Sequence, residues 1–311
     1  MDYERLQRSG RERYLDRAVL AGRGYIRHGL LGQGTFSDVY CIEDAADGRR
    51  YACKVSWRAE MLEREARVLE EVRHPLYPEF AGFWRADGLG ILLREYVPGR
   101  SLEELLGRRR FSAAQTIRAG LELAAGLRYL HGLREGLLFR DVKPGNVILG
   151  QDGGLKLIDL GCVCPLGTGA ASRAGSPGFA APEQLRGGGV LSASCDVYGL
   201  GKTMEAMLGE GRGRRGIHRL DSQERRCGMR QGRRPWAGKC GTGARRPGPG
   251  PGKAREQWPD RALRIIAEKH RDRGLRRILA ACTEEAPEKR IADMGKLMEA
   301  LARVDKTVPY S

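Results

Sequence analysis

Four polar side chains interrupt the apolar strip LFRDVKPGNVIL, residues 138–149: Arg140, Asp141, Lys143 and Asn146, in that order. Apolar residues on both sides anchor such a loop in a core, so its polar groups must face something. A carboxylate, two cations and a carboxamide in one turn are residue types that can handle phosphate. An isolated D-x-K-P-x-N can equally be a solvated surface turn. The choice depends on whether the rest of the chain supplies the other parts of a phosphate site.

Two further stretches bear on that choice. GLLGQGTFSDVYCIED is a Gly-rich turn followed by alternation. Phe36, Val39 and Tyr40 continue as strand, whereas a dinucleotide fingerprint needs a helix to begin at its glycines. The turn is therefore a strand–loop–strand flap, whose Gly32 and Gly34 let backbone N–H groups approach phosphate oxygens closely. MLEREARVLEEV, residues 61–72, has helical periodicity, with Leu62, Ala66, Leu69 and Val72 on one stripe. Glu65 falls on that stripe too, and a carboxylate on an inward face is costly unless a cation meets it. Lys54, at the centre of the strand YACKVSW, is the nearest candidate. A glutamate at the edge of the stripe, reaching solvent, is an equal reading of the helix by itself.

The remaining elements must bring these groups together. Residues 25–97 read as short strands with one helix, including a hairpin turn at Asp87-Gly88 and the strand GILLREYV. PGRSLEELL is a turn opening a helix. Residues 112–131 form a long helix that starts with the capping pair Ser112 and Gln115, then carries Ile117, Leu121, Ala124, Leu127 and Leu130 at helical spacing. The interrupted strip at 138–149, with the strand NVILG at its end, the turn QDGG and LKLIDLG follow, after which the pattern turns helical. The order predicts a small strand-rich lobe, a larger helical lobe and a cleft between them, where ligand sites are favoured.

Composition sets the outer bounds. A chain of 311 residues with 41% hydrophobic content can bury a large core. No apolar run approaches the ~20 residues of a membrane span, and MDYERLQRSGRERYLDR lacks the apolar stretch of a secretory signal. Eight cysteines without paired spacing read as reduced cytoplasmic thiols; Cys162 and Cys164 form a C-x-C with no second pair at zinc-finger distance. Residues 211–256 hold 14 Lys plus Arg against 3 Asp plus Glu, so +11 of the net +16 lies there. Rich in Gly, Arg and Pro and without apolar periodicity, this stretch (about 209–257) is expected to be a disordered insertion. Its charge could attract an acidic partner, although such loops most often stay solvated. Nucleic acid is not an expected partner, because no aromatic-interleaved basic surface accompanies it.

Taken in order, these pieces resemble the eukaryotic-type (Hanks-type) Ser/Thr protein kinase family, as a soluble, bacterial-like member, over about residues 25–305. The quoted motifs are the loop Gly32-Gln33-Gly34-Thr35-Phe36-Ser37-Asp38-Val39, Lys54 of YACK, Glu65, the hinge REYVPG, FRDVKPGN, DLG at 159–161, APE at 181–183, Asp196 in CDVYGLG and Arg290 in APEKR. The resemblance implies an α+β, bilobal fold: a charged extension at 1–24, a small β-rich N-lobe at 25–97, a larger helical C-lobe at 98–305 and a tail at 306–311. It implies a transferase using ATP and Mg²⁺ on Ser/Thr of protein substrates, with autophosphorylation. In that scheme Asp141 accepts the proton of the substrate hydroxyl, and Lys143 steadies the γ-phosphate. Asn146 and Asp159 hold the metal with oxygen ligands. Leu31, Gly32, Gln33, Gly34, Thr35, Phe36, Ser37 and Val39 cover the nucleotide, Lys54 fixed by Glu65 grips its phosphates, and Glu95 and Val97 meet its adenine edge.

This chain departs from the pattern in places. Ser37 stands where a third glycine is usual, Phe139 replaces His before Arg140, and Leu160 replaces Phe in the metal turn. Both apolar replacements could stack with Leu69. Arg94, just before the hinge, needs a partner or must turn outward. Arg140 could capture a phosphorylated Thr168, Ser172 or Ser176, or the segment could order unmodified. The rival functions are a pseudokinase scaffold of the same fold, a small-molecule kinase and an RNA-binding protein. Intact Lys54, Asp141, Asn146 and Asp159 speak against the first, Lys143 with the complete APE against the second.

Overall fold

A computed structural model describes residues 6–134, 136–169, 174–187, 189–209 and 258–306. The basic stretch at 211–256 and Ser172 lie outside the described residues.

The chain opens with helix α1 (Arg8–Tyr14), which runs on through a π-helical turn at Leu15–Leu20 and a 3-10 turn at Ala21–Arg23. Five strands and one helix follow: β1 (Tyr25–Gln33), β2 (Ser37–Asp44), β3 (Arg50–Ser56), α2 (Ala59–Glu71), β4 (Phe80–Ala86) and β5 (Leu89–Glu95). The strands form one antiparallel sheet in the order β1-β2-β3-β5-β4. The β4–β5 hairpin turns at Asp87 and Gly88, whose φ values of 48° and 80° give the primed turn that matches strand twist.

Side chains alternate across a strand, so this sheet has two distinct faces. Tyr40, Ile42, Cys53, Val55, Ile91 and Leu93 share the outer one. The N-terminal segment covers it: Leu15, Val19 and Leu20 are buried there, each contributing roughly 1.5–3 kcal/mol. Residues 15–20 thus supply part of the outer core. The other face carries Val39, Lys54 and Leu92 in one cross-strand row. Helix α2 packs on that side through Leu62, Ala66 and Leu69, joined there by Leu92.

Beyond the sheet come β6 (Gly99–Ser101), α3 (Leu102–Leu106), α4 (Ala113–His131), β7 (Leu137–Leu138), β8 (Val147–Gly150), β9 (Leu155–Leu157) and β10 (Cys164–Pro165). The helices α5 (Pro182–Arg186), α6 (Ser194–Leu208), α7 (Trp258–Cys282) and α8 (Met294–Lys306) complete the lobe. Ser112 and Gln115 close a reciprocal capping box at the start of α4, so two otherwise unpaired N–H groups are satisfied. Leu123, Ala124, Leu127 and Leu130 of α4 are fully buried among Met204, Leu279, Leu297 and Leu301. At Gly126 a Cβ would stand 2.1 Å from the Leu76 side chain, so only glycine lets that loop seat against α4. The result is an α+β fold of two lobes, a small sheet lobe and a larger helical one, joined by the segment after β5.

Candidate active site

The interrupted strip is a loop between two short strands. Leu137 and Leu138 form β7, residues 139–143 are irregular, Pro144–Asn146 make one 3-10 turn, and Val147 opens β8. Leu138, Phe139, Val142 and Val147 are all buried, which anchors the loop from both ends. Arg140 has φ of 70°, a left-handed conformation that a non-glycine residue holds only when its surroundings impose it. Asp196 in α6 imposes it. Its carboxylate accepts from the N–H of Phe139 at 2.8 Å and of Arg140 at 2.7 Å, and pairs with His131 Nε2 at 2.8 Å. Gln184 Nε2 donates to the Arg140 carbonyl at 3.0 Å, and Thr203 Oγ1 to that of Val142 at 3.2 Å.

So held, the loop gathers its polar groups around one carboxylate. Asp141 Oδ1 accepts from the Ser176 N–H at 2.8 Å. Asp141 Oδ2 accepts from Asn146 Nδ2 at 3.0 Å and lies 3.0 Å from Lys143 Nζ. Lys143 Nζ also donates to Ser176 Oγ at 2.6 Å. Asn146 spends its amide nitrogen on Asp141, on the backbone carbonyl at 2.9 Å as well as the side chain, which leaves its amide oxygen as the atom suited to a cation. Sequence reasoning named Ser176 only as a possible phosphate acceptor, yet its hydroxyl and N–H tie the segment before APE to both catalytic-loop candidates. A hydroxyl one residue before a Pro-Gly was the available signal, and spacing does not reveal such a tertiary contact.

A second cluster lies between the sheet and α2. Lys54 Nζ is 2.7 Å from Glu65 Oε2 and 3.0 Å from Asp159 Oδ1, and the Gly161 N–H donates to Asp159 Oδ1 at 3.1 Å. Glu65 therefore lies on the inward face of its helix and not at the stripe edge. Burial opposes the charged form of both partners, raising Glu65 and pulling Lys54 down. Asp159 and Glu65 together outweigh that pull and hold the Lys54 ammonium above its usual range. Lys54, aided by Arg94, holds the Asp159 carboxyl well below the usual carboxylate range. The Asp159 carboxylate and the Asn146 amide oxygen are hard donors of the kind that a divalent cation takes.

Arg94 turns inward. It shares the face of Ala52, its cross-strand partner, with Lys54 and Leu92, and it is 4% exposed. Its Nη1 has no hydrogen-bond partner among the described residues, and neither does Glu65 Oε1. The flap residues Leu31, Gly32, Gln33, Gly34, Thr35 and Phe36 are exposed, with Ser37 partly so. The turn closes through Gly34 N–H to Ser37 O at 2.7 Å. Ser56 Oγ donates to the Phe36 carbonyl at 2.8 Å. Glu95 ends β5 and Val97 follows it, both half-buried. The Glu95 carboxylate is engaged with Lys156 at 2.8 Å and the Glu79 N–H at 3.1 Å. Phe139, Leu160 and Leu69 are each buried in the same core, as expected of the two apolar replacements. Further out, Arg290 makes a two-pronged pair with Glu183, 2.7 and 3.1 Å, and donates to the carbonyls of Ser194, Glu284 and Glu285.

A bilobal α+β fold whose interior carries this lysine–glutamate–aspartate cluster and an aspartate-centred loop defines a phosphotransferase class. The protein kinase domain model matches residues 25–292, and the chain belongs to that family. It is 31% identical over 191 residues to RAC-beta serine/threonine-protein kinase of Homo sapiens, covering 58% of this chain and 39% of that one. Over 208 residues it is 30% identical to CBL-interacting protein kinase 16 of Oryza sativa subsp. japonica, covering 62% and 45%. The human cAMP-dependent protein kinase catalytic subunit PRKX is 30% identical over 187 residues, covering 57% and 51%. The chain thus spans about half or less of the length of these relatives. Family membership implies ATP as substrate and a divalent metal. Among the described residues no helix is long and apolar enough to cross a membrane.

Proposed function

We propose that this chain is a serine/threonine protein kinase, transferring the γ-phosphoryl group of ATP to hydroxyls of protein substrates with Mg²⁺. The observation that supports it most is the convergence on Asp141: Lys143, Asn146 and the Ser176 N–H all point at one carboxylate. Phosphoryl transfer asks for positioning and charge neutralisation more than for a protein nucleophile. In this reading Asp141 takes the substrate hydroxyl proton, while Lys143 neutralises charge on the departing γ-phosphoryl. Lys54, held by Glu65, contacts the α- and β-phosphates. Leu31 to Ser37 and Val39 close over the nucleotide, and the backbone at Glu95 and Val97 meets the adenine edge. Mg²⁺, held by Asp159 and Asn146, would supply charge neutralisation on the phosphate oxygens when bound.

The same reading places the protein in the cytoplasm, as its unpaired cysteine spacing suggests. It gives the basic stretch at 211–256 the task of raising the local concentration of acidic protein partners. The printed names of the relatives specify serine/threonine kinases, which favours Ser/Thr hydroxyls here.

Mg²⁺-ATP with labelled γ-phosphate, the purified chain and mass spectrometry test the proposal. Label on serine or threonine of the chain or of an added protein is the expected result, lost in Asp141→Asn while ATP still binds. Absence of transfer with intact ATP binding would make the protein a pseudokinase scaffold, and label appearing only on a metabolite would move it to the small-molecule kinases. Replacing residues 211–256 by a Gly/Ser linker should leave activity on a neutral peptide unchanged and abolish the salt dependence of activity on an acidic protein. Equal salt dependence in both forms would remove the steering role.

A further inference from the structure

We propose that helix α1 braces the flap, with Arg11 as a positioning residue that acts through Asp38. The inference deepens the kinase reading, because the flap is taken as the cover of the nucleotide phosphates. It concerns residues that precede the matched kinase region, which begins at residue 25.

Asp38 sits at the neck of the flap. It is the register partner of Gln33, the last pair before the exposed turn, and of Val55 on its other side. That register puts its carboxylate on the outer face, beside Tyr40, in an otherwise apolar row. The side chain is 1% exposed, and a carboxylate so deeply buried is costly without a cation. Arg11 Nη1 meets Asp38 Oδ2 at 3.1 Å. The same guanidinium lies 5.0 Å from the centre of the Trp57 ring, directly after β3. Next along, Arg58 stacks at 3.9 Å on Phe36, at the tip of the flap.

Arg11 is itself fixed from below. Leu15, Val19 and Leu20 anchor the following turns in the outer core. Asp16 receives Arg27 of β1 at 2.8 and 2.9 Å. Tyr14 OH donates to Asp87 at 2.7 Å, at the β4–β5 hairpin. The segment thus spans from β1 to that hairpin and delivers one cation to the flap neck. A flap whose neck is pinned spends less of its time splayed open, so nucleotide binding has less ordering to accomplish.

The test is amide hydrogen exchange over residues 32–39, read by mass spectrometry in the full chain without nucleotide, together with KM and kcat for ATP. Arg11→Ala should speed exchange in that peptide by roughly tenfold. It should also raise KM for ATP by about as much while kcat changes by less than about twofold. Arg11→Lys keeps the charge but not the fork and should recover part of both effects. Tyr14→Phe removes a bond at the far edge of the sheet and should change neither. Should Arg11→Ala fail to fold, Arg11→Gln takes its place. Unchanged flap exchange, or equal effects from Tyr14→Phe, would overturn the brace. Wild-type protein that binds no ATP while flap exchange still follows Arg11 would remove the kinase reading and leave the brace standing.

Discussion

Lys54 and Glu65 should behave as one unit. Their side chains are 11% and 2% exposed and meet at 2.7 Å, so Glu65 alone would be a buried charge without its counter-ion, and Lys54 alone would keep only the more exposed Asp159. Breaking such a pair costs about 3–5 kcal/mol. If the loss falls on assembly of the phosphate grip, kcat/KM for ATP drops between about 10² and about 10⁴-fold in Glu65→Gln. Lys54→Met also severs the contact to Asp159, whose side chain is 40% exposed. A solvent-screened contact of that kind adds at most about 1 kcal/mol. Lys54→Met should therefore lie up to about fivefold below Glu65→Gln, apart from its own lost phosphate contact. Independent effects would leave the double variant some 6–11 kcal/mol down, whereas a coupled pair leaves it no worse than Lys54→Met. The measurement is a double-variant cycle in kcat/KM on a neutral peptide, with melting curves to confirm that all forms fold. Losses that add to within about 0.5 kcal/mol would refute the coupling.

Three other outcomes follow from contacts of the same kind. Burial alone would raise the Glu183 carboxyl, but hydrogen bonds from Arg290 bring it below its usual value. That stabilisation is present above the unfolded value of about 4.3 and fades as pH falls through the lower folded one. Arg290→Ala should cost about 3–5 kcal/mol in urea denaturation at pH 7, with the deficit shrinking below about pH 4; a pH-independent deficit would exclude the ion pair as its source. Ser176→Ala removes the hydroxyl that receives Lys143 at 2.6 Å and should lower kcat/KM about 10- to 100-fold. Threonine at position 176 should restore activity, and no loss in alanine would show that the hydroxyl is dispensable. Arg94→Met removes a buried cation that helps hold the Glu65 and Asp159 carboxylates, so the urea midpoint should fall; an unchanged or raised midpoint would show that burying the guanidinium costs more than those carboxylates return.

Local chemistry was legible wherever one short segment carries it. The periodicity of residues 61–72, the Ser112–Gln115 box and the turn at Asp87-Gly88 each depend on neighbours in sequence, and the structure has all three. Glu65 was undecided from its helix alone, because its position follows from a partner 11 residues away on a strand. Ser176 was harder still, being defined by contacts across 33 and 35 residues. The role of residues 8–23 was missed for a different reason. Charged residues dominate the count there, while Leu15, Val19 and Leu20 turn inward through a π-helical stretch whose period differs from 3.6. Arg94 was flagged as an anomaly, but which way a long side chain turns depends on the charges around it, here Glu65 and Asp159.

The dependence of the catalytic-loop backbone on Asp196 has a consequence for synthesis of the chain. Phe139 and Arg140 precede that carboxylate by 57 and 56 residues. At ~5–20 residues per second, translation delivers Asp196 some 3–11 s after the loop has left the ribosome tunnel. Until then the N–H groups of Phe139 and Arg140 lack that acceptor, and the left-handed peptide at Arg140 is free to relax toward ordinary backbone angles. Nascent chains that stop short of α6 should therefore carry every residue of the loop and still be unable to shape it. A part of the kinase domain made after the loop thus acts as a timing lock, and a polypeptide abandoned before it is a silent one.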